Sequence, residues 1–179
     1  FAGLFDRCAK VMSGLARLPQ PVIAQVHGIA TAAGCQLVAS CDMAIAAQGA
    51  RFGVNGVNIG LFCSTPMVAL SRNVHRKQAF EMLTTGRFVE AEEAQAMGLV
   101  NRVVAPGSLS SETRALAETV AGKLSAAVKI GKRGFYDQIE MGLDDAYAHT
   151  AAIMVDNMLW RDTEEGIAAF LEKRSPDWA

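Results

Sequence analysis

The chain has 179 residues, of which 51% are hydrophobic and 20% are charged, with a formal net charge of -1. This balance is typical of a folded globular protein and excludes a disordered chain. Without a basic excess the chain does not resemble a nucleic-acid binder, and no apolar run approaches the ~18 residues of a membrane span. The four cysteines form no CxxC pair and no metal-like spacing, so we expect an intracellular protein without a metal site.

The first part of the chain predicts alternating helices and short strands. Residues 1–18 have an amphipathic helical pattern, which is already under way at the first residue and lacks an initiator Met, so we expect an incomplete chain. Apolar runs of strand length follow at 22–26 and 42–47, with a helix over 32–41 between them. Regularly spaced glycines at 49–62 indicate tight turns between very short strands. This order of elements predicts an α/β fold.

The remainder is predicted to be mainly helical. Helices are predicted at 64–72, 75–84, 90–97, 110–124, 126–140, 143–160 and 163–173, and a strand is predicted at 99–104. The change of character divides the chain into a core at 1–107 and a helical region at 108–179. No linker separates the two parts, so we expect a single domain over 1–179.

The segment 26–36, VHGIATAAGCQ, carries the most informative pattern. Small residues at Ala30, Ala32, Ala33 and Gly34 precede a helix and allow a ligand to approach the backbone. The N–H groups at a helix start have no intrahelical partner and lie at the positive end of the helix dipole. Such a loop can hold a developing oxyanion, and a plain tight turn is the alternative. A phosphate loop is disfavoured because no Lys-Ser/Thr ending follows.

Several separated blocks, in order, resemble the enoyl-CoA hydratase/isomerase (crotonase) family. They are PVIAQVHGIATAAGCQLVASCD at 21–42, LTTG at 83–86, AEEA at 91–94, GLV at 98–100 and GIAAFLEKR at 166–174. The resemblance covers essentially the whole chain and implies that about the first third of the family domain is absent from it. The implied α/β fold is a crotonase-like spiral of ββα units with a helical C-terminal trimerisation region.

The resemblance also implies an acyl-CoA thioester as substrate, with no cofactor beyond its coenzyme A, and a homotrimer or dimer of trimers as the assembly. The location would be cytoplasmic in a bacterium or mitochondrial in a eukaryote. A backbone oxyanion hole would hold the thioester carbonyl, with one N–H donor at Ala33 beside Gly34 and a second donor outside this chain. The implied substrate-binding residues are Ala30, Ala32, Phe62, Phe170 and Lys173.

The family's catalytic glutamate pair is missing. Hydratases of this family carry glutamates where this chain has Gln36 and Gly56. Gln36 can orient a water but cannot take a proton at neutral pH, and Gly56 has no side chain. Among residues 8–79 the only carboxylate is Asp42, which lies at the far end of the predicted helix.

We therefore expect an acyl-CoA-binding protein that is not an efficient hydratase. The alternatives are an acyl-CoA decarboxylase, an isomerase with a relocated acid, and a non-catalytic acyl-CoA-binding or regulatory subunit. Decarboxylation is compatible with the missing glutamates because loss of CO₂ requires no proton abstraction.

Five further residues have two interpretations each. Asn58 is a polar pocket ligand or a turn-forming residue. Cys63, before a helix start, is a nucleophile or a packed thiol. His27 is a base or, more simply, a turn residue. Phe170 and Lys173 lie on one helix face. They contact the CoA nucleotide, or they belong to the end of an amphipathic helix where a cation is favourably placed.

Overall fold

The structure is a computed structural model that describes residues 1–178. The chain separates into two compact units, Phe1–Val120 and Ala121–Ala179. The first unit extends beyond residue 107 because the helix that follows packs Leu109 against Ile45 and Ala47. The single domain expected from the sequence stays a prediction.

Two three-stranded sheets form the centre of the first unit. The first sheet has the order β1-β3-β6, with all strands parallel, and contains β1 (Ile23–Val26), β3 (Met43–Ala47) and β6 (Arg102–Val104). The second sheet has the order β2-β4-β5 and contains β2 (Ile29–Thr31), β4 (Arg51–Gly53) and β5 (Phe88–Glu90). In this second sheet β2 is parallel to β4, and β5 is antiparallel to β4.

Helices follow the strand pairs, as a spiral of ββα units requires. The helices of this unit are α1 (Ala2–Arg17), α2 (Ala33–Ser40), α3 (Pro66–Asn73), α4 (Arg76–Thr85), α5 (Ala91–Ala96) and α6 (Leu109–Ala121), with 3-10 turns at Asn55–Ile59 and Pro106–Ser108. Pro66 lies in the first turn of α3, where its missing N–H leaves no intrahelical bond unmade. Gly86, with φ +64°, ends α4.

The core is built from small residues in β3 and larger ones around it. β3 is buried along Ala44–Ala47 because the strand lies in the middle of its sheet. The larger, fully buried core side chains come from β4, α3, α4 and β5. They are Phe52, Leu70, Met82 and Val89. Burial of each such side chain stabilises the fold by about 1.5–3 kcal/mol.

The strand register brings two chain segments to one sheet edge. Thr31, the last residue of β2, is paired with Gly53, the last residue of β4. Because the strands are parallel, their carboxyl ends lie side by side. The N-terminus of α2 and the 3-10 turn Asn55–Ile59 both begin at this edge.

Most predicted elements differ from the structure by one to three residues at their ends. The strand predicted at 99–104 is reduced to β6, because the N–H groups of Leu99 and Val100 bond to the Ala94 carbonyl and close the end of α5. The helix predicted at 90–97 begins after Glu90, which belongs to β5.

The second unit contains three helices, α7 (Ser125–Gln138), α8 (Leu143–Met158) and α9 (Arg161–Glu172). α7 and α8 approach closely at Gly134, where a Cβ would lie 2.8 Å from Ile153 Cδ1. No residue of α8 is buried, and its large exposed apolar side chains include Tyr147, Met154 and Val155. This exposed face is compatible with the expected trimer, which stays a prediction. Among the helices of residues 1–178, none has the length and apolar character of a membrane span.

Candidate functional site

An unusual backbone conformation precedes the N-terminus of α2. Ala32, which precedes the helix, has φ 48° and ψ -116°, and its N–H donates to the Gly53 carbonyl at 2.9 Å. The Gln36 N–H bonds to the Ala32 carbonyl at 3.0 Å, so the N–H groups of Ala33, Gly34 and Cys35 have no intrahelical acceptor. Ala33 and Gly34 are exposed. Positive φ at a non-glycine residue costs about 1–3 kcal/mol and is concentrated at functional sites.

A polar pair lies beside this helix start. The Thr31 hydroxyl donates to Asn55 Oδ1 at 2.7 Å, which joins the carboxyl ends of β2 and β4 through their side chains. Among the described residues, none accepts a hydrogen bond from Asn55 Nδ2. Sequence analysis did not select this pair, because only the register of two three-residue strands brings Thr31 and Asn55 together.

Gln36 lies one helical turn after Ala32 and is the buried polar side chain of this region, with 5% exposure. Its Oε1 accepts a weak hydrogen bond from the Cys8 thiol of α1, with the sulfur at 3.8 Å. Its Nε2 donates to no described residue. A neutral amide tolerates this burial far better than a carboxylate without a cationic partner would.

Gly56 lies in a loop whose later residues, Leu61 and Cys63, pack against it. A Cβ at this position would lie 2.7 Å from the Leu61 carbonyl oxygen and 2.9 Å from Cys63 Sγ. The Gly56 N–H donates to Cys63 Sγ at 3.3 Å, and the Gly56 carbonyl accepts from the Leu61 N–H at 3.0 Å. A side chain at this position, including a carboxylate, therefore requires Leu61 and Cys63 to shift.

Two thiols are packed beneath the loop. Cys35 has 1% exposure and Cys63 has 8%. Burial raises the pKa of the Cys35 thiol to about 12, a hydrogen bond with the Gly53 backbone opposes this rise, and the neighbouring Cys63 adds to it. Cys35 is therefore a protonated thiol at neutral pH. The packing of Cys63 against Gly56 favours the interpretation of Cys63 as a structural thiol.

The other residues selected from the sequence are distributed around the same unit. Asn58 is exposed and its Nδ2 donates to the Gly86 carbonyl at 3.4 Å, which links the 3-10 turn to the end of α4 and favours the turn interpretation. Phe62 is 44% exposed, whereas Ala30 is buried within β2. His27 is exposed in the turn between β1 and β2.

The single carboxylate of residues 8–79 is engaged away from the helix start. Asp42 Oδ2 accepts a hydrogen bond from the Val22 N–H at 2.5 Å, just beyond the C-terminal end of α2. The N-terminal end of α2 therefore presents hydrogen-bond donors without a nearby acid from this part of the chain. Within residues 1–178 no group of three or more His, Cys, Asp or Glu side chains is arranged to hold a metal ion.

Phe170 and Lys173 lie at the end of α9 in the second unit. Phe170 is 82% exposed. Lys173 is exposed and caps the helix with φ 56°. The adjacent Arg174 is bound by Glu165 through two contacts, of 2.6 Å and 2.9 Å. These bonds from Arg174, with a bond from the Asp177 N–H, hold the pKa of Glu165 at about 2.

Comparison with known proteins assigns the chain to a family. Residues 5–179 match the sequence profile of the family described as enoyl-CoA hydratase/isomerase. The chain belongs to this family. This family member is 50% identical to human "Enoyl-CoA hydratase domain-containing protein 3, mitochondrial" over 99% of the chain, which corresponds to 59% of that relative. It is 40% identical to a "Putative enoyl-CoA hydratase" of Thermus thermophilus over 88% of the chain and 62% of that relative.

Solved structures of the enoyl-CoA hydratase/isomerase family share the same fold. A crystal structure of enoyl-CoA hydratase from Mycobacterium smegmatis has a TM-score of 0.97 and 58% identity, over 99% of this chain and 69% of that one. The structure of human enoyl-CoA hydratase domain-containing protein 3 has a TM-score of 0.96 and 51% identity, over 99% and 70% of the two chains. The predicted crotonase-like fold is confirmed. The chain spans only 59–60% of the length of the first of its curated relatives.

Proposed function

We propose that the chain binds acyl-CoA thioesters at the N-terminus of α2 and is a poor enoyl-CoA hydratase. The thioester carbonyl oxygen accepts a hydrogen bond from the N–H groups at Ala33 and Gly34. The observation that supports this proposal is the conformation of Ala32, which leaves those N–H groups exposed at a sheet edge. Donors arranged in advance stabilise the charge that develops on a thioester oxygen.

Slow hydration follows from the residues at the positions of the family glutamates. Gln36 is a neutral amide, and a side chain at Gly56 would require Leu61 and Cys63 to shift. Each general acid or base contributes roughly 10²–10⁴ in rate, so the loss of both is expected to reduce turnover by roughly 10⁴–10⁸. An acid supplied from outside residues 8–79 would support isomerase chemistry instead.

Binding of the thioester carbonyl is tested by removing the oxygen from the ligand. Isothermal titration of the purified protein would compare butyryl-CoA with its thioether analogue S-butyl-CoA, which lacks the carbonyl. A net hydrogen bond of about 0.5–1.5 kcal/mol predicts that the thioester binds roughly two- to tenfold more tightly. Equal affinities would contradict the proposal. Rapid loss of the crotonyl-CoA enoyl absorbance, at roughly 1–10³ turnovers per second, would contradict the proposal that the protein is a poor hydratase.

The CoA nucleotide is proposed to contact Phe170 and Lys173. The exposed ring and the exposed cation lie i, i+3 apart on α9, and within residues 1–178 no carboxylate pairs with Lys173. Assembly as a trimer or dimer of trimers is part of the same proposal, together with a mitochondrial location in a eukaryote or a cytoplasmic one in a bacterium.

A further inference from the structure

The chain turns back along α9 after Lys173, so that residues 174–178, the C-terminal segment, lie against the helix that they follow. The Asp177 N–H reaches the side chain of Glu165, twelve residues earlier. We infer that Glu165 is a positioning residue, which holds the C-terminal segment on α9 and thereby fixes Lys173 where it binds a phosphate of the CoA nucleotide. The inference rests on the proposed nucleotide contact of Lys173 and adds the groups that hold this lysine in place.

The carboxylate of Glu165 attaches the C-terminal segment at two points. It accepts hydrogen bonds from Nη1 and Nη2 of Arg174 at 2.6 Å and 2.9 Å. Its Oε1 also accepts the Asp177 backbone N–H at 2.8 Å. The bonds from Arg174, followed by the bond from Asp177, lower the pKa of Glu165 to about 2, so the carboxylate is ionised at neutral pH. One side chain of α9 therefore binds both a side chain and the backbone of the returning segment.

Trp178 attaches the far end of the same segment. A Cβ on Gly166 would lie 3.1 Å from Cη2 and 3.3 Å from Cζ3 of the indole, so the ring lies directly on the helix at a position without a side chain. Gly166 precedes Phe170 by four residues, which places the indole contact on the face of α9 that carries Phe170. The C-terminal segment is thus held on the helix at Arg174, Asp177 and Trp178.

Lys173 is the residue that these attachments constrain. It has φ 56° and ψ 37°, a left-handed conformation that residues other than glycine rarely adopt. Its N–H bonds to the Phe170 carbonyl at 3.3 Å, and the Arg174 N–H bonds to the Ala169 carbonyl at 3.0 Å. The chain reverses at this residue. Because residues 174–178 are held on α9, the backbone of Lys173 and the direction of its Cα–Cβ bond are fixed.

The charges at this end of α9 favour Lys173 over Arg174 as the partner of an anionic ligand. The Arg174 guanidinium is bound by Glu165 and also by Glu172, whose Oε2 accepts from Nε at 2.6 Å. Within residues 1–178 no carboxylate pairs with Lys173. An ammonium group binds phosphate as a point charge, and a lysine whose backbone is already fixed loses less conformational freedom when it does so.

The experiment compares the affinities of butyryl-CoA and butyryl-pantetheine, which lacks the nucleotide, by isothermal titration of the purified protein. By charge alone, Glu165→Gln should strengthen the binding of an anionic ligand, because it removes a carboxylate. Loss of positioning has the opposite effect. We expect Glu165→Gln to weaken butyryl-CoA binding by about two- to tenfold, the cost of ordering a flexible side chain, and to leave butyryl-pantetheine binding unchanged.

Three further variants isolate the role of position. Glu164→Gln makes the same change of net charge at the neighbouring exposed glutamate, and it should not weaken butyryl-CoA binding. Arg174→Lys keeps the charge but loses the paired hydrogen bonds to Glu165, so it should weaken butyryl-CoA as Glu165→Gln does, and it provides the test if Glu165→Gln does not fold. In a protein that already carries Lys173→Gly, the Glu165→Gln change should have no further effect on affinity.

The outcomes separate this inference from the proposed function. If Lys173→Gly weakens butyryl-CoA binding but Glu165→Gln and Arg174→Lys do not, only the inference fails. If Lys173→Gly leaves the affinity unchanged, the proposed nucleotide contact fails and the inference fails with it. Equal weakening of butyryl-CoA and butyryl-pantetheine by Glu165→Gln would show a general loss of structure and would also overturn the inference.

Discussion

Substitution of Gly56 by alanine tests whether the loop excludes a catalytic carboxylate. The added Cβ would lie 2.7 Å from the Leu61 carbonyl oxygen and 2.9 Å from Cys63 Sγ, both well inside van der Waals contact. The carbonyl belongs to the backbone of a loop that the Leu61 N–H closes by donating to the Gly56 carbonyl, so moving the carbonyl away requires the loop to shift. Overpacking of this kind costs about 1–3 kcal/mol. For a chain of this size the midpoint of thermal unfolding should fall by roughly 2–12 °C.

Thermal unfolding of Gly56→Ala would be followed by circular dichroism beside Gly28→Ala. A Cβ at Gly28 meets nothing within 4 Å, so this control should change stability by less than about 0.5 kcal/mol. The same contacts predict that Gln36→Glu combined with Gly56→Glu does not restore crotonyl-CoA hydration. An unchanged unfolding midpoint for Gly56→Ala, or efficient hydration by the double variant, would refute the reasoning.

Four further predictions concern stability, reactivity and binding. Ala32→Gly should raise the free energy of unfolding by up to about 2 kcal/mol, because glycine relieves the strain of φ 48°. A lower free energy of unfolding in a denaturant titration would contradict this prediction. Hydrogen bonds from Arg87 lower the pKa of Glu93 in the folded protein. The ionised carboxylate therefore stabilises the folded state above the pKa that Glu93 has in the unfolded chain, and this stabilisation is lost as the pH falls through the pKa of the folded state. Glu93→Gln should therefore destabilise the protein by at most about 1 kcal/mol at pH 7, and the difference in unfolding free energy should disappear in acid. Cys35, with its raised pKa and 1% exposure, should resist iodoacetamide at pH 8 in the folded protein and react after denaturation, as peptide mapping would show. Lys173→Glu should weaken CoA binding severalfold in calorimetry and more than Lys173→Gly, which suits the positive φ and only removes the charge.

Much of the fold was accessible from the sequence because its longer elements have clear periodicity. α1, α2, α7, α8 and α9 begin or end within about two residues of their predicted positions. The strands β2, β4 and β5 have three residues each, which is too short for an alternating pattern to be recognised. Their pairing depends on contacts between distant parts of the chain, which local sequence does not specify.

The candidate site was predicted in part, for a comparable reason. The pattern of small residues before α2 located the exposed N–H groups, and the family resemblance identified Gln36 and Gly56 as unusual. The pairing of Thr31 with Asn55 and the contact of Cys8 with Gln36 join residues 24 and 28 positions apart. The closed loop at Gly56 follows from the positions of Leu61 and Cys63, which a glycine in the sequence does not reveal.

The parallel sheet β1-β3-β6 has a consequence for the order in which the protein folds. Ala44, in β3, donates its N–H to the Asn101 side chain, 57 residues further along the chain. A nascent chain therefore cannot complete this sheet until β6 has been synthesised, and β1 and β3 leave an unpaired strand edge until then. The α7–α8 hairpin is formed by neighbours in sequence and carries no such delay. We expect the interval before synthesis of β6 to be the period when the chain is most exposed to aggregation and most dependent on chaperones.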